Sequence, residues 1–202
     1  MQRYELATLS TTIGAAAQAG PAIEAWAKAG KGKLLGVLAS DIGLLNQILV
    51  LRGFESEADL AAERARAVAS ASPFNAQGWL TGLSMDSYIP FPNIPPVATG
   101  KRGPVFEVRS YIFKTGGLQP TLDGWAQQLP GRIAVSPLVV AMYKADGAPG
   151  FTHIWPYPSL NDRAAIRADV VARGIWPPKG GPDWLHEMRS TICLPLPVSP
   201  LQ

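Results

Sequence analysis

The stretch Pro21-Ala22-Ile23-Glu24-Ala25-Trp26 returns about a hundred residues later as Pro120-Thr121-Leu122-Asp123-Gly124-Trp125. Other short stretches return at nearly the same distance: Tyr4-Glu5-Leu6 as Phe106-Glu107-Val108, Gly32-Lys33 as Gly131-Arg132, and Phe54-Glu55-Ser56 as Tyr157-Pro158-Ser159. A period this long is typical of two tandem copies of one domain, and not of a solenoid built from short repeats. The duplication therefore sets the fold that we predict.

Each copy has the pattern strand, helix, strand, strand, helix, strand. Alternating or continuous apolar runs mark the strands, and apolar residues at helical spacing mark the helices. The first helix is expected over residues 20–30, with Pro21 in its first position. Ser56 and Ser159 each precede the second helix of a copy and are followed three positions later by an aspartate, which is typical of a helix N-cap.

The order βαββαβ defines the α+β class and a ferredoxin-like unit, in which two helices cover one face of a four-stranded antiparallel sheet. The other face would remain bare, and an apolar sheet face needs a partner. We therefore expect two tandem ferredoxin-like repeats whose sheets pack on each other within the chain. The domains would span residues 1–92 and 104–202. The linker 93–103 lies in a proline-rich stretch, which disfavours helix and central strand.

Composition excludes several classes of protein. The 202 residues are 47% hydrophobic and 16% charged, which provides enough apolar material for a core. The net charge of +3 is spread over amphipathic helices, so no nucleic-acid partner is expected. No apolar run is long enough for membrane insertion, and the single cysteine, Cys193, excludes an intrachain disulfide. We expect a soluble, cytoplasmic protein, and the free edge strands of ferredoxin-like sheets favour a homo-oligomer.

Three segments of the chain carry a family resemblance: residues 41–47, residues 153–163 and the strand start Phe106-Glu107-Val108-Arg109-Ser110-Tyr111. They resemble the NIPSNAP family, whose opening strand has the pattern Glu-x-Arg-x-Tyr. The resemblance extends over the whole chain as two tandem modules. It implies the dimeric α/β-barrel superfamily, in which ferredoxin-like units are joined through their sheets. Roles suggested for family members include vesicle traffic and mitochondrial signalling, and relatives by fold include cofactor-free monooxygenases and isomerases.

The two copies keep different polar residues at matching positions. The second copy has Arg109, Tyr111, His153 and Trp155 where the first has Ala7, Leu9, Val50 and Arg52. Conversely, the first copy has Asn46 and Gln47 where the second has Pro149 and Gly150. If these positions mark a site, the chain holds at most one complete set. We expect that set on the second copy, with Asn46 or Gln47 reaching across from the first.

Strand alternation places Glu107, Arg109 and Tyr111 on one face of their strand. The opposite face is more apolar, with Phe106, Val108, Ser110 and Ile112, and we expect it to meet the helices. The first set would then point into the barrel. Arg109 would pair with Glu107, or it would bind an anionic group of a ligand beside Tyr111.

The other candidate residues each have a structural and a functional interpretation. His153 could be a core residue, or it could act as a general base beside a pocket. Asn46 and Gln47 could satisfy a loop, or Asn46 could contact a substrate oxygen. Trp26 and Trp125 are expected to anchor the core. The rigid stretch Trp176-Pro177-Pro178-Lys179-Gly180-Gly181-Pro182 could cover a cleft or meet a partner.

No phosphate-binding loop or nucleophile elbow is present, and the two histidines lack the spacing of metal ligands, so no cofactor or metal is expected. We predict that the second module binds a small organic molecule in a polar pocket, located within the barrel or between sheet and helices. One alternative is a non-catalytic protein for assembly or interaction. Another is a cofactor-free monooxygenase or isomerase. The sequence does not decide whether the protein is an enzyme.

Overall fold

The computed structural model describes residues 3–202. The first module consists of β1 (Arg3–Thr11), α1 (Ala16–Lys28), β2 (Lys33–Ile42), β3 (Gln47–Phe54), α2 (Glu57–Ala69) and β4 (Leu80–Pro90). The second module repeats the order with β5 (Val105–Phe113), α3 (Leu118–Ile133), β6 (Val140–Lys144), β7 (Gly150–Tyr157), α4 (Leu160–Ala172) and β8 (Leu185–Pro195). Single 3₁₀ turns at Pro73–Asn75 and Gly181–Trp184 precede β4 and β8. The predicted pattern βαββαβ is therefore confirmed in both halves.

The eight strands form one closed barrel in the order β1-β3-β2-β8-β5-β7-β6-β4. Each module contributes an antiparallel sheet with its last strand next to its first, as in ferredoxin-like folds. The two sheets join edge to edge, because β2 pairs with β8 and β4 pairs with β6. Within residues 3–202 these junctions are short, because only residues 88–90 of β4 pair with β6 and only four residues of β8 pair with β2. Residues 80–87 of β4 and 185–191 of β8 keep one edge without a strand partner among the described residues, so the homo-oligomer expected from free sheet edges remains a prediction.

The barrel interior is apolar and combines residues of both modules. Phe106 and Val108 of β5 belong to one buried cluster with Leu6, Leu51 and Met142, while Tyr111 belongs to a separate cluster with α3. The expected orientation of β5 was therefore wrong: Phe106 and Val108 point into the barrel, and Glu107, Arg109 and Tyr111 face the helices. Because a closed barrel surrounded by helices covers both sheet faces, the more apolar face of β5 fills the inside.

The sequence predicted the first residues of three helices, and the structure agrees at two of them. Ser56 accepts a hydrogen bond from the Asp59 N–H at 3.1 Å, and Ser159 accepts one from the Asp162 N–H at 3.0 Å. Both side chains therefore cap their helices as expected. Pro21, however, lies inside α1, which begins at Ala16. The preceding alanines favour helix, so the helix forms upstream of the proline.

The segment between the modules packs against both of them. Phe91 lies 5.2 Å from Trp125, measured between ring centroids, and the Val97 N–H donates to the Tyr4 hydroxyl at 3.2 Å. The chain beyond β8 returns to this segment through a bridge between Gly100 and Leu201. The domain limits 1–92 and 104–202 remain a prediction. Across residues 3–202, no helix combines the length and the apolar character that crossing a membrane requires.

Candidate functional site

A cavity of about 200 Å³ lies between the outer face of the second sheet and helices α3 and α4. Its sheet side is formed by Arg109 and Tyr111 of β5 and by His153 and Trp155 of β7. Arg109 pairs with His153 in the register of the two strands, and every second residue of each strand points the same way. The structure therefore brings four of the predicted site residues together. They lie under the helices, and not inside the barrel.

The other two predicted site residues are not at the cavity. Asn46 adopts a left-handed backbone conformation with φ of 56° in the β2–β3 turn, and its carbonyl accepts hydrogen bonds from Thr11. The Gln47 N–H donates to the Ser40 hydroxyl at 3.1 Å. These contacts use main-chain atoms of the β2–β3 turn, where asparagine tolerates φ above zero better than most residues do.

Glu107 organises the arginines beside the cavity. Its Oε1 accepts hydrogen bonds from Arg109 Nη1 at 2.7 Å, Arg163 Nη2 at 2.6 Å and Ser190 Oγ at 2.7 Å, while Arg167 Nη1 lies 3.7 Å from Oε2. Burial alone would raise the pKa of this carboxyl, but the hydrogen bond from Arg163 and the charges of Arg109 and Arg167 lower it to about 2. Glu107 is therefore ionised at neutral pH, and it holds Arg109 and Arg163 in place.

Arg109 is held on both sides. Besides its ion pair with Glu107, its Nε donates to the Tyr111 hydroxyl, and its guanidinium lies 5.3 Å from the Tyr111 ring centre. Burial raises the pKa of Tyr111, so this phenol stays protonated at neutral pH. The structure thus contains the Glu107–Arg109 pair that the sequence predicts, and it leaves Arg109 at the cavity surface.

His153 is buried and in a defined tautomer. Its Nδ1 accepts a hydrogen bond from Trp155 Nε1 at 2.6 Å, so Nδ1 carries the lone pair and Nε2 carries the proton of the neutral ring. Burial, followed by the charge of Arg109, holds the pKa of His153 well below its usual value. Nε2 has no hydrogen-bond partner among the described residues. His153 therefore carries a buried, unpaired N–H donor in the wall of the cavity.

Arg132 of α3 also lines the cavity, and the sequence analysis did not identify it as a site residue. Its side chain is 2% exposed, and its guanidinium lies 4.1 Å from the centre of the Trp155 ring. The sequence contained one signal, since Gly131-Arg132 matches Gly32-Lys33 in the repeat. We interpreted that match as evidence of duplication only. Lys33 is exposed, so the matching positions have different environments.

Three tryptophans give the cavity aromatic walls. Trp176 makes edge-to-face contacts with Trp125 at 4.8 Å and with Trp155 at 6.1 Å, measured between ring centroids. Trp176 belongs to the rigid stretch that the sequence suggested as a cover for a cleft, and Pro177, Pro178 and Pro182 line the cavity with it. Trp125 is buried as predicted, but it also forms a cavity wall. Flat aromatic walls favour flat apolar ligands.

In the first module, apolar side chains fill the space that corresponds to the cavity of the second module. Ala7, Leu9 and Val50, which match Arg109, Tyr111 and His153, pack in one buried cluster with Trp26 and Phe74. Phe74 comes from the turn before β4 and lies 5.7 Å from Trp26 between ring centroids. The corresponding region before β8 forms the cavity cover instead. The space that Phe74 fills in the first module is therefore a cavity beside Arg109 and His153 in the second.

A closed barrel of two ferredoxin-like modules, with a ligand-sized cavity under the helices of one module, defines a tandem member of the dimeric α/β-barrel class. The NIPSNAP family model matches residues 3–77 and 106–200. The chain therefore belongs to the NIPSNAP family, as its sequence resemblance indicated. The comparison with curated proteins found no match.

Solved structures agree with this fold. A candidate monooxygenase from Lactobacillus acidophilus NCFM is 11% identical, with a TM-score of 0.67, over 96% of this chain and 94% of that one. An anthrone oxidase-like protein is 13% identical, with a TM-score of 0.66, over 96% of this chain and 91% of that one. A NIPSNAP family protein from Agrobacterium tumefaciens C58 is 22% identical over 54% of this chain and all of that one, with a TM-score of 0.46. For the first two structures, the similarity at these identities shows the fold alone.

Proposed function

We propose that the second module binds a small organic molecule in the cavity between β5, β7, α3 and α4. The observation that carries the proposal is the contrast between the two modules. One buries Phe74 against Ala7 and Val50, whereas the other leaves about 200 Å³ beside Arg109 and His153. An engineered apolar cavity of about 150 Å³ accepts benzene. A compound with one aromatic ring and a short substituent therefore fits the space.

The lining has the composition of a ligand site. Most of it is aromatic or aliphatic, and a few buried polar groups are placed within it. Three cavity residues have a buried side-chain atom without a hydrogen-bond partner in the described protein: Thr121 Oγ1, Arg132 Nε and His153 Nε2. Leaving such groups unpaired is costly, because each loses its hydrogen bonds to water. A ligand that accepts hydrogen bonds would offset this cost.

Catalysis is not part of the proposal. A cofactor-free monooxygenase or isomerase, the alternative favoured by relatives of similar fold, needs a base within reach of its substrate. The lone pair of His153 is engaged by Trp155, and the pKa of this ring lies well below its usual value. In this geometry His153 is a donor. The described residues also contain no group of three or more His, Cys, Asp or Glu side chains that could hold a metal ion.

The cavity mouth provides a direct test with a matched control. Val171 of α4 lines the cavity and is exposed, and Val68 of α2 is exposed at the matching position of the first module, where Phe74 fills the corresponding space. We expect Val171→Trp to block binding and Val68→Trp to leave it unchanged. Native mass spectrometry of freshly purified protein would reveal a co-purified molecule, and calorimetry with small aromatic compounds would measure affinity. Equal binding by the two variants would contradict the proposal.

The second candidate function is assembly, and the homo-oligomer on which it depends remains a prediction. Since β2 and β4 are paired across the two sheets over only part of their length, a contact between copies could use the free edges of β4 and β8 as well as helices or loops. Light scattering over a range of concentrations would decide the matter. A constant mass near 21.5 kDa would show that the chain is a monomer.

A further inference from the structure

Arg132 is a buried cation without an ionic partner. Its closest polar contacts are the Ser136 carbonyl and the Tyr157 hydroxyl, both at 3.5 Å, and its Nε has no partner among residues 3–202. Donor–acceptor distances of 3.5 Å are at the outer limit of hydrogen bonding. Burial is the main cause that lowers the pKa of Arg132, yet arginine remains charged in proteins. The charge is therefore present and poorly compensated.

The first module shows how this protein buries an arginine when no ligand is needed. Arg52 is fully buried, and it donates to Glu5 Oε1 at 2.7 and 3.0 Å and to Glu63 Oε2 at 2.8 Å. Every nitrogen of that guanidinium is used. Arg132 is nearly as deep, but its guanidinium contacts a ring face and two distant oxygens. The difference between these two buried arginines points to an anion that comes from outside the chain.

The surrounding charges favour an anion as well. Arg109, Arg163 and Arg167 are grouped on the single carboxylate of Glu107, and Arg132 adds a fourth cation. These five groups carry a net charge of three positive units. Arg132 also lies in the last turn of α3, but the negative end of a helix supplies only about half a charge. Glu107 is already engaged by three arginines, so a monoanion would still gain net attraction here.

Two other cavity residues carry buried polar atoms without a partner among the described residues, and both atoms can donate a hydrogen bond. The neutral tautomer of His153 presents Nε2–H, and the Thr121 hydroxyl can donate. Thr121 and Arg132 are about three turns apart on α3, about 16 Å along its axis. They therefore lie toward opposite ends of the cavity, with Trp125 between them. The end of the cavity next to Arg132 is the one that has both a positive charge and a buried position.

From these observations we propose that the ligand is a small aromatic carboxylate, whose carboxylate group pairs with Arg132 while its ring lies among Trp125, Trp155 and Trp176. The inference rests on the proposed function and specifies its ligand class. A guanidinium suits this role because its planar donors match a carboxylate in two parallel hydrogen bonds. The size of the cavity limits the ligand to one ring, or to two fused rings that extend toward the mouth.

The experiment compares carboxylates with their uncharged amides, which have nearly the same shape. Benzoate, phenylacetate, cinnamate and indole-3-acetate, each with the corresponding primary amide, would be titrated into wild-type protein at pH 7 by calorimetry. The protein would first be unfolded and refolded, to remove any co-purified molecule. We expect the best-binding carboxylate to exceed its amide about tenfold or more in affinity, the scale of a hydrogen bond to a charged group.

Arg132→Gln removes the charge, and Lys33→Gln makes the same change of charge at an exposed residue at the start of β2, away from the cavity. We expect Arg132→Gln to reduce the preference for carboxylate over amide to about twofold or less, and Lys33→Gln to retain it. Arg132→Lys keeps the charge but loses the planar pair of donors, so it should recover part of the preference. Thermal melts of each variant would verify that the fold is intact.

The outcomes separate the two proposals. Carboxylates and amides that bind equally well to wild-type protein would overturn the inference and leave the binding function standing. A preference for carboxylate that survives Arg132→Gln would also overturn it, because the anion would then be recognised elsewhere. If no compound binds and mass spectrometry finds no co-purified molecule, both the inference and the proposed function fail.

Discussion

Replacing each buried arginine with methionine tests the contrast on which the site depends. Methionine preserves much of the apolar length of the side chain and removes the charge. In Arg52→Met, the carboxylate of Glu5 would lose the partner of its Oε1, and its Oε2 already has none. Glu63 would keep Arg66. Breaking a buried pair in this way costs about 3–5 kcal/mol of unfolding free energy, because an isolated charge stays buried.

In Arg132→Met the balance is different. The variant loses the cation–π contact with Trp155, worth about 0.5–2 kcal/mol, and two long hydrogen bonds. It also removes the cost of burying a charge that lacks an ion pair, which is of similar size or larger. We therefore expect the ligand-free Arg132→Met protein to be within about 1 kcal/mol of wild type.

Urea unfolding followed by tryptophan fluorescence and circular dichroism would measure both changes, with equal m-values as the sign that the same surface is exposed. The double variant Glu5→Gln, Arg52→Met should recover part of the loss, because its remaining side chain is uncharged. A cost below 1 kcal/mol for Arg52→Met, or above 3 kcal/mol for Arg132→Met in ligand-free protein, would refute the reasoning. The second result would mean that the chain itself compensates Arg132.

Three further predictions follow from the geometry. Because the pKa of Glu107 falls from 4.5 to about 2 on folding, it stabilises the protein fully above pH 4.5 and progressively less as the pH falls toward 2. Urea melts across this range should therefore lose on the order of 3 kcal/mol more in wild type than in Glu107→Gln. Ser56→Ala and Ser159→Ala should each cost about 1 kcal/mol in the same assay, since both hydroxyls cap a helix; no loss at either site would show that the caps contribute nothing. Arg109→Ala should weaken a bound anion by about 1–3 kcal/mol in calorimetry, whereas Ala7→Ser, at the matching position, should leave binding unchanged. Equal effects would contradict the placement of the site.

The sequence predicted the fold because its signals are local and occur twice. The caps at Ser56 and Ser159, the two matching tryptophans and the strand alternation all depend on neighbours within a few residues. Because the order βαββαβ occurs twice, the chain contains two sheets with one bare face each. Packing these two faces on each other is the simplest way to cover both. The grouping of Arg109 with His153 was also predictable, since both occupy matching positions of paired strands.

The orientation of β5 could not be obtained this way. Alternation shows that Glu107, Arg109 and Tyr111 share a face, but it does not show which layer that face meets. In this barrel both faces are covered, one by the opposite sheet and one by helices, so polarity alone is an ambiguous guide. The packing of the closed barrel settled the question, because it places Phe106 and Val108 with residues of the first module and Tyr111 with α3.

By itself, then, the sequence determined two ferredoxin-like units, their family, and the module that keeps the polar residues. Tertiary structure alone decided that there is a cavity and that Arg132 is its unpaired cation. The second module has a cavity because the loop that carries Trp176 leaves this space open. In the first module, Phe74 fills the corresponding space. Arg132 lacks an ionic partner because none of the described residues packed around it, from α3, β7 and the loop after α3, is acidic. These neighbours are brought together by packing between distant segments, which no local sequence pattern encodes.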